Sequence, residues 1–132
     1  MPFTILVIDD DPMIRQVLTD VLATKGHQVL VAADGEEGLA RAHAERRPDL
    51  ILLDYHMPGL DGPGVLDRLK GDPATRRIPV VALTSGTAAD ANVLSRAGAI
   101  GFIPKPFVSE ELLRLVNEIL SATVGRARQT GA

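Results

Sequence analysis

The sequence has 132 residues, within the roughly 100–150 that commonly make one domain, and its 45% hydrophobic content is enough for a core. No apolar run approaches the ~20 residues of a bilayer span. A net charge of −3 gives no basic footprint for nucleic acid, and the absence of cysteine excludes disulfides and thiolate ligands. Residues 1–8 lack the basic and long apolar segments of a signal peptide, so a cytoplasmic domain with no membrane or direct nucleic-acid partner is expected.

The first strand is predicted over Thr4–Asp9, where Ile5-Leu6-Val7-Ile8 runs straight into Asp9-Asp10. A helix follows. Ile14, Val17, Leu18, Val21 and Leu22 share one face, Asp11 can cap it, Pro12 suits its first position, and Gly26 can stop it. A second strand, Gln28–Ala33, leads to a helix opening at Asp34, with Glu37 placed for a capping box. The third strand, Leu50–Asp54, ends in another carboxylate. The third helix starts near Asp61-Gly62-Pro63, exposes Arg68 and Lys70, and ends by Gly71.

After the fourth strand, Val80–Thr84, the helix near Thr87–Ala97 is the least anchored. Only Val93, Leu94 and Ala97 hold it, behind Ser85-Gly86-Thr87. The fifth strand is Ile100–Pro104. The last helix opens at Ser109 with Glu110 and Glu111 in its first turn, and places Leu112, Leu113, Val116, Ile119 and Leu120 on one face. Residues 1–122 read as one domain and 123–132 as a polar tail or linker stub. Strands apolar on both faces, alternating with helices, give a doubly wound α/β sandwich with a five-stranded parallel sheet and five helices.

The C-terminal edge of such a sheet is where ligands bind. Asp9, Asp10 and Asp54 would meet there, and like charges that close cannot all stay ionised unaided. A hard divalent cation, Mg²⁺ above all, relieves the conflict and points to phosphoryl chemistry. Asp54, at a central strand tip, is the best nucleophile, and Asp9 and Asp10 suit the metal. Lys105, between Pro104 and Pro106, supplies a second cation, and Thr84 offers a hydroxyl. Plainer roles go to Asp11 and Asp61 as helix caps, to Gly62 as a backbone requirement, and to His27 and His43 as ordinary surface or strand-end residues.

Four blocks in order, Ile5–Pro12 (ILVIDDDP), Leu52–Gly62 (LLDYHMPGLDG), Ala82–Gly86 (ALTSG) and Ala97–Phe107 (AGAIGFIPKPF), resemble those of response regulator receiver domains, of the chemotaxis type, over residues 3–122. The resemblance implies a flavodoxin-like strand order of 2-1-3-4-5 and a cis Lys105–Pro106 bond. It implies that Asp54 accepts a phosphoryl group from a histidine kinase or histidine phosphotransfer protein. Asp10, Asp54 and the backbone carbonyl of His56 would bind Mg²⁺, with Mn²⁺ as a substitute, and Asp9 would act through water. Thr84 and Lys105 would contact the phosphoryl oxygens, and Phe102 would be the aromatic switch. A downstream protein would then engage the face of the fourth helix, fifth strand and fifth helix. Such a domain catalyses only its own phosphorylation and dephosphorylation.

This chain departs from the family's pattern at several places. His56 stands where Asn, Glu or another polar residue is common, and its imidazole would sit at the mouth of the site. Gly86, two residues past Thr84, has no side chain to screen attacking water, and Phe102 lacks a tyrosine hydroxyl. A phosphohydrolase of the haloacid dehalogenase type would use Asp9-x-Asp11, but residues 84–107 offer only Asp90 as a further acid. A degenerate receiver that takes no phosphate would not need Asp9, Asp10, Asp54, Thr84 and Lys105 together. No Gly-x-Gly-x-x-Gly follows the first strand, which excludes the usual dinucleotide fingerprint.

Overall fold

Leu and Ile runs without polar interruption need apolar cover on both faces, and the computed structural model shows how they obtain it. The structure describes residues 3–44, 47–84 and 88–129. Strands β1 (Thr4–Ile8), β2 (Gln28–Ala32), β3 (Leu50–Asp54), β4 (Val80–Thr84) and β5 (Gly101–Pro104) alternate with helices α1 (Pro12–Ala23), α2 (Gly35–Ala42), α3 (Gly62–Gly71), α4 (Ala88–Ala97) and α5 (Ser109–Gln129). All pairings are parallel, and the sheet order is β2-β1-β3-β4-β5, the flavodoxin-like order expected.

Successive strand residues point to opposite faces. Leu6, Ile8, Ile51, Leu53, Val80 and Ala82 pack with Val65, Leu66 and Leu69 of α3 on one side. Ile5, Val7, Leu50, Leu52, Val81 and Leu83 pack with Leu18 and Leu22 of α1 and Leu112, Val116 and Leu120 of α5 on the other. Every residue of β1, β3 and β4 is buried, whereas the edge strands β2 and β5 are partly open.

The helix starts follow their local signals. Asp11 accepts a hydrogen bond from the Met13 amide at 2.9 Å, and Asp61 accepts one from the Gly64 amide at 3.0 Å. Asp34 accepts from the Glu37 amide at 2.8 Å, but the Glu37 carboxylate reaches back to the Ala33 amide at 3.0 Å, one residue before the cap. Gly26, beyond α1, has φ of 81°, a left-handed turn that suits a residue without Cβ. The Lys105–Pro106 bond is cis.

Several sequence expectations shift. β1 and β2 each stop one residue early, at Ile8 and Ala32, and β5 starts at Gly101, although the Ile100 amide still donates to Val80 O at 2.9 Å; the Ile100 side chain is exposed. Val93, expected to anchor α4, is exposed. The helix seats its end instead. Ala97 packs on the core, and a Cβ at Gly98 would lie 3.0 Å from Lys70 Cγ. Leu94's side chain and residues 85–87 lie outside what the structure describes. Lys70 is half-buried rather than exposed, with Nζ donating to Arg76 O at 3.0 Å and Ile78 O at 2.9 Å. The backbone of α5 runs to Gln129, and residues 123–129 contain no proline to interrupt the helical hydrogen bonds.

Candidate functional site

Parallel register places all the chemistry on one edge. Asp54 is the last residue of β3 and pairs with Leu83; Thr84 is the last of β4 and pairs with Pro104. Asp9 and Asp10 follow β1, and Lys105 follows β5 with its amide on Thr84 O at 2.9 Å. One carboxylate oxygen from each of Asp9, Asp10 and Asp54 lies within 4.8 Å of the others, the one such acidic or histidine group among the described residues. Lys105 Nζ bridges two of them, donating to Asp9 Oδ2 at 2.8 Å and Asp54 Oδ1 at 3.0 Å.

The environment is graded. Asp9 is 0% exposed and Asp54 5%, while Asp10 faces solvent. Burial pushes the Asp54 carboxyl up to about 6; the Lys105 hydrogen bond opposes that shift, and the Asp9 charge adds to it. Burial works against the Lys105 charge too, yet its hydrogen bonds to Asp9 and Asp54 prevail and hold its pKa above the ordinary lysine value. Asp9 has a second task that the sequence did not suggest. Its Oδ1 accepts from the Asp11 amide at 2.9 Å, so the carboxylate is held from two sides.

Gly62 shows why the loop after β3 closes tightly. Its amide donates to Tyr55 O at 3.0 Å, and a Cβ there would lie 2.6 Å from Asp54 O. No side chain fits.

Phe102 pairs in register with Ala82, and Thr84 lies two residues further along β4, so all three share the sheet face covered by α3 and α4. Phe102 is half-buried against that core. The His56 ring is exposed, 4.4 Å from the Tyr55 ring in an edge-on contact. Gly86 lies outside the described residues.

Two features escaped the sequence reading. Arg15 Nη1 donates to Asp9 O at 2.8 Å, although a lone arginine early in α1 reads as a solvent-facing charge. At the opposite end of the sheet, His43 Nε2 meets Asp72 Oδ2 at 2.6 Å while its Nδ1 faces Leu39 O at 2.8 Å. His43 is thus a surface residue as expected, but a paired one. Its hydrogen bond to Asp72 raises its pKa.

The family model for the response regulator receiver domain matches residues 5–117. Protein PilH of Pseudomonas aeruginosa is 39% identical over 118 residues, covering 89% of this chain and 97% of PilH. The chain spans about half the length, 49–53%, of several longer curated relatives it also matches. Chemotaxis protein CheY4 of Vibrio cholerae superposes with a TM-score of 0.84 at 31% identity, covering 90% of this chain and 99% of that one. The receiver domain of sensor histidine kinase PA1611 from P. aeruginosa, solved with a magnesium ion coordinated in its active site cleft, gives a TM-score of 0.84 at 30% identity, covering 92% and 99%. Sequence and fold agree, and the chain belongs to the response regulator receiver domains of two-component signal transduction.

Proposed function

We propose that this protein is a phosphoacceptor whose Asp54 takes a phosphoryl group from a histidine kinase or histidine phosphotransfer protein. The observation that carries the reading is the Lys105 ammonium held between Asp9 and Asp54 at 2.8 and 3.0 Å, beside a buried carboxylate at the tip of a central strand. The donor set is all oxygen, and oxygens of Asp9, Asp10 and Asp54 lie within 4.8 Å of one another, which fits Mg²⁺ and its substitute Mn²⁺. Asp10, Asp54 and the His56 carbonyl would hold the ion, with Asp9 acting through water; the ion supplies charge neutralisation at the phosphoryl oxygens.

The residues then divide the work. With its carboxyl at about 6, Asp54 is mostly ionised at neutral pH. One of its oxygens forms the new O–P bond as the donor imidazole's N–P bond breaks, and the electron pair leaves on nitrogen. Lys105 exchanges its carboxylate contact for a phosphoryl oxygen and stabilises the charge that develops there. The Thr84 hydroxyl contacts another oxygen. Movement of Thr84 frees space on the face it shares with Phe102, whose inward turn carries the signal to the face of α4, β5 and α5. Docking of a downstream protein there is supported by a groove whose lining includes Phe102, Phe107, the exposed Val108, Leu112 and Leu115, with Glu111, Arg114 and Glu118 also lining it. The output is a change of surface, and the reading carries with it a cytoplasmic location and a receiver domain ending near residue 122.

The test is covalent. Incubation with acetyl phosphate and Mg²⁺ should add one phosphoryl group to the wild type by intact mass and none to Asp54→Asn. Equal labelling of both proteins rejects Asp54 as the acceptor.

A further inference from the structure

Asp9 lies one residue beyond the end of the β1 ladder. Its amide still donates to Ala32 O at 3.1 Å, but β2 ends at Ala32 and Asp34 already caps α2, so no strand residue follows to take the Asp9 carbonyl. Arg15 takes it instead, through Nη1 at 2.8 Å. The arginine is itself fixed. Its amide donates to Asp11 O at 3.1 Å, its carbonyl accepts from Thr19 Oγ1 at 2.7 Å, and its side chain lines the hollow between α1 and Val29 and Val31 of β2.

That carbonyl belongs to the peptide unit joining Asp9 to Asp10. The Asp9 carboxylate is buried and held by the Asp11 amide and Lys105. The Asp10 carboxylate is exposed, so its aim depends on the orientation of this peptide unit. We propose that Arg15 is a positioning residue for the acidic site: by holding the Asp9–Asp10 peptide unit, it directs the Asp10 carboxylate toward Asp54 and sets the affinity for the divalent cation. This inference rests on the metal-assisted phosphoacceptor reading. Groups that orient metal ligands from behind typically change affinity by about 10–100-fold when removed.

The experiment measures Mg²⁺ binding by calorimetry in wild type, Arg15→Met and Arg15→Gln, beside metal-free melting temperatures and acetyl phosphate labelling rates across Mg²⁺ concentration. Methionine keeps an apolar stem without the donor; glutamine keeps a neutral, shorter donor. The expected result is a loss of affinity of about 10–100-fold for Arg15→Met and a smaller loss for Arg15→Gln. Labelling rates should return to the wild-type level at saturating Mg²⁺. Unchanged affinity in a folded Arg15→Met overturns the proposal, as does a labelling rate that stays low at saturation, which marks general damage. If Arg15→Met does not fold, Arg15→Gln decides on the same criteria. Absence of Mg²⁺ binding by the wild type overturns the metal reading and this inference with it, whereas normal wild-type binding with an unaffected variant overturns the role of Arg15 alone.

Discussion

Replacing Asp54 with asparagine should stabilise the metal-free protein at neutral pH, although it destroys the proposed acceptor. Burial lifts this carboxyl from the ordinary 3.8 to about 6, even with Lys105 at 3.0 Å. At about 1.4 kcal/mol per pH unit, ionising Asp54 in the folded protein costs about 3 kcal/mol more than in the unfolded chain. Asparagine keeps the shape and removes that cost, but weakens one of the two Lys105 contacts, so a gain of about 1–3 kcal/mol is expected. For a domain of this size that is a rise of about 4–12 °C in melting temperature.

The sign with pH follows from the raised value. Protonated Asp54 contributes stability that is fully present below 3.8 and lost as pH rises through about 6, so the gap between variant and wild type opens across that window. Circular dichroism melts in EDTA at about pH 4, 5, 6 and 7 measure it directly. An Asp54→Asn protein that melts at or below wild type at pH 7 refutes the reasoning, because the ion pair with Lys105 then outweighs the burial of the carboxylate.

Asp10→Asn should also melt higher than metal-free wild type, by about 1 kcal/mol, and gain nothing from added Mg²⁺; a lower melting point would assign Asp10 a structural hydrogen bond instead. Gly62→Ala should lose about 1–3 kcal/mol in urea denaturation, because the new Cβ would lie 2.6 Å from Asp54 O, and an unchanged midpoint would contradict that packing. His43 has both ring nitrogens facing oxygen acceptors, so the paired geometry needs the imidazolium. Its raised pKa means the contribution is fully present below the ordinary 6.5 and is lost as pH rises through the higher folded value. Wild type should therefore exceed His43→Gln in stability at pH 5.5 by more than at pH 9, and a gap independent of pH would show that the pair is not charged.

The sequence alone determined the elements whose causes are local. An uninterrupted run such as Leu50–Leu53 has no polar face to offer water, so it specifies a central strand covered on both sides. Asp11, Asp34 and Asp61 cap their helices because a short acceptor side chain reaches an amide two or three residues ahead, whatever the rest of the chain does. Acids at the ends of β1 and β3 marked the site for the same reason: strand direction fixes which end of the sheet they occupy. Tertiary structure decided what depends on distant partners. Lys105 meets Asp9 across 96 residues and Asp54 across 51, and only the sheet register turns three separated strand ends into one site. Arg15 became part of that site because β2 ends too soon to satisfy the Asp9 carbonyl, and the exposure of Val93 was set by how α4 seats against α3. Caps and periodicity act within a few residues, whereas desolvation and ion pairing depend on what the folded chain brings alongside.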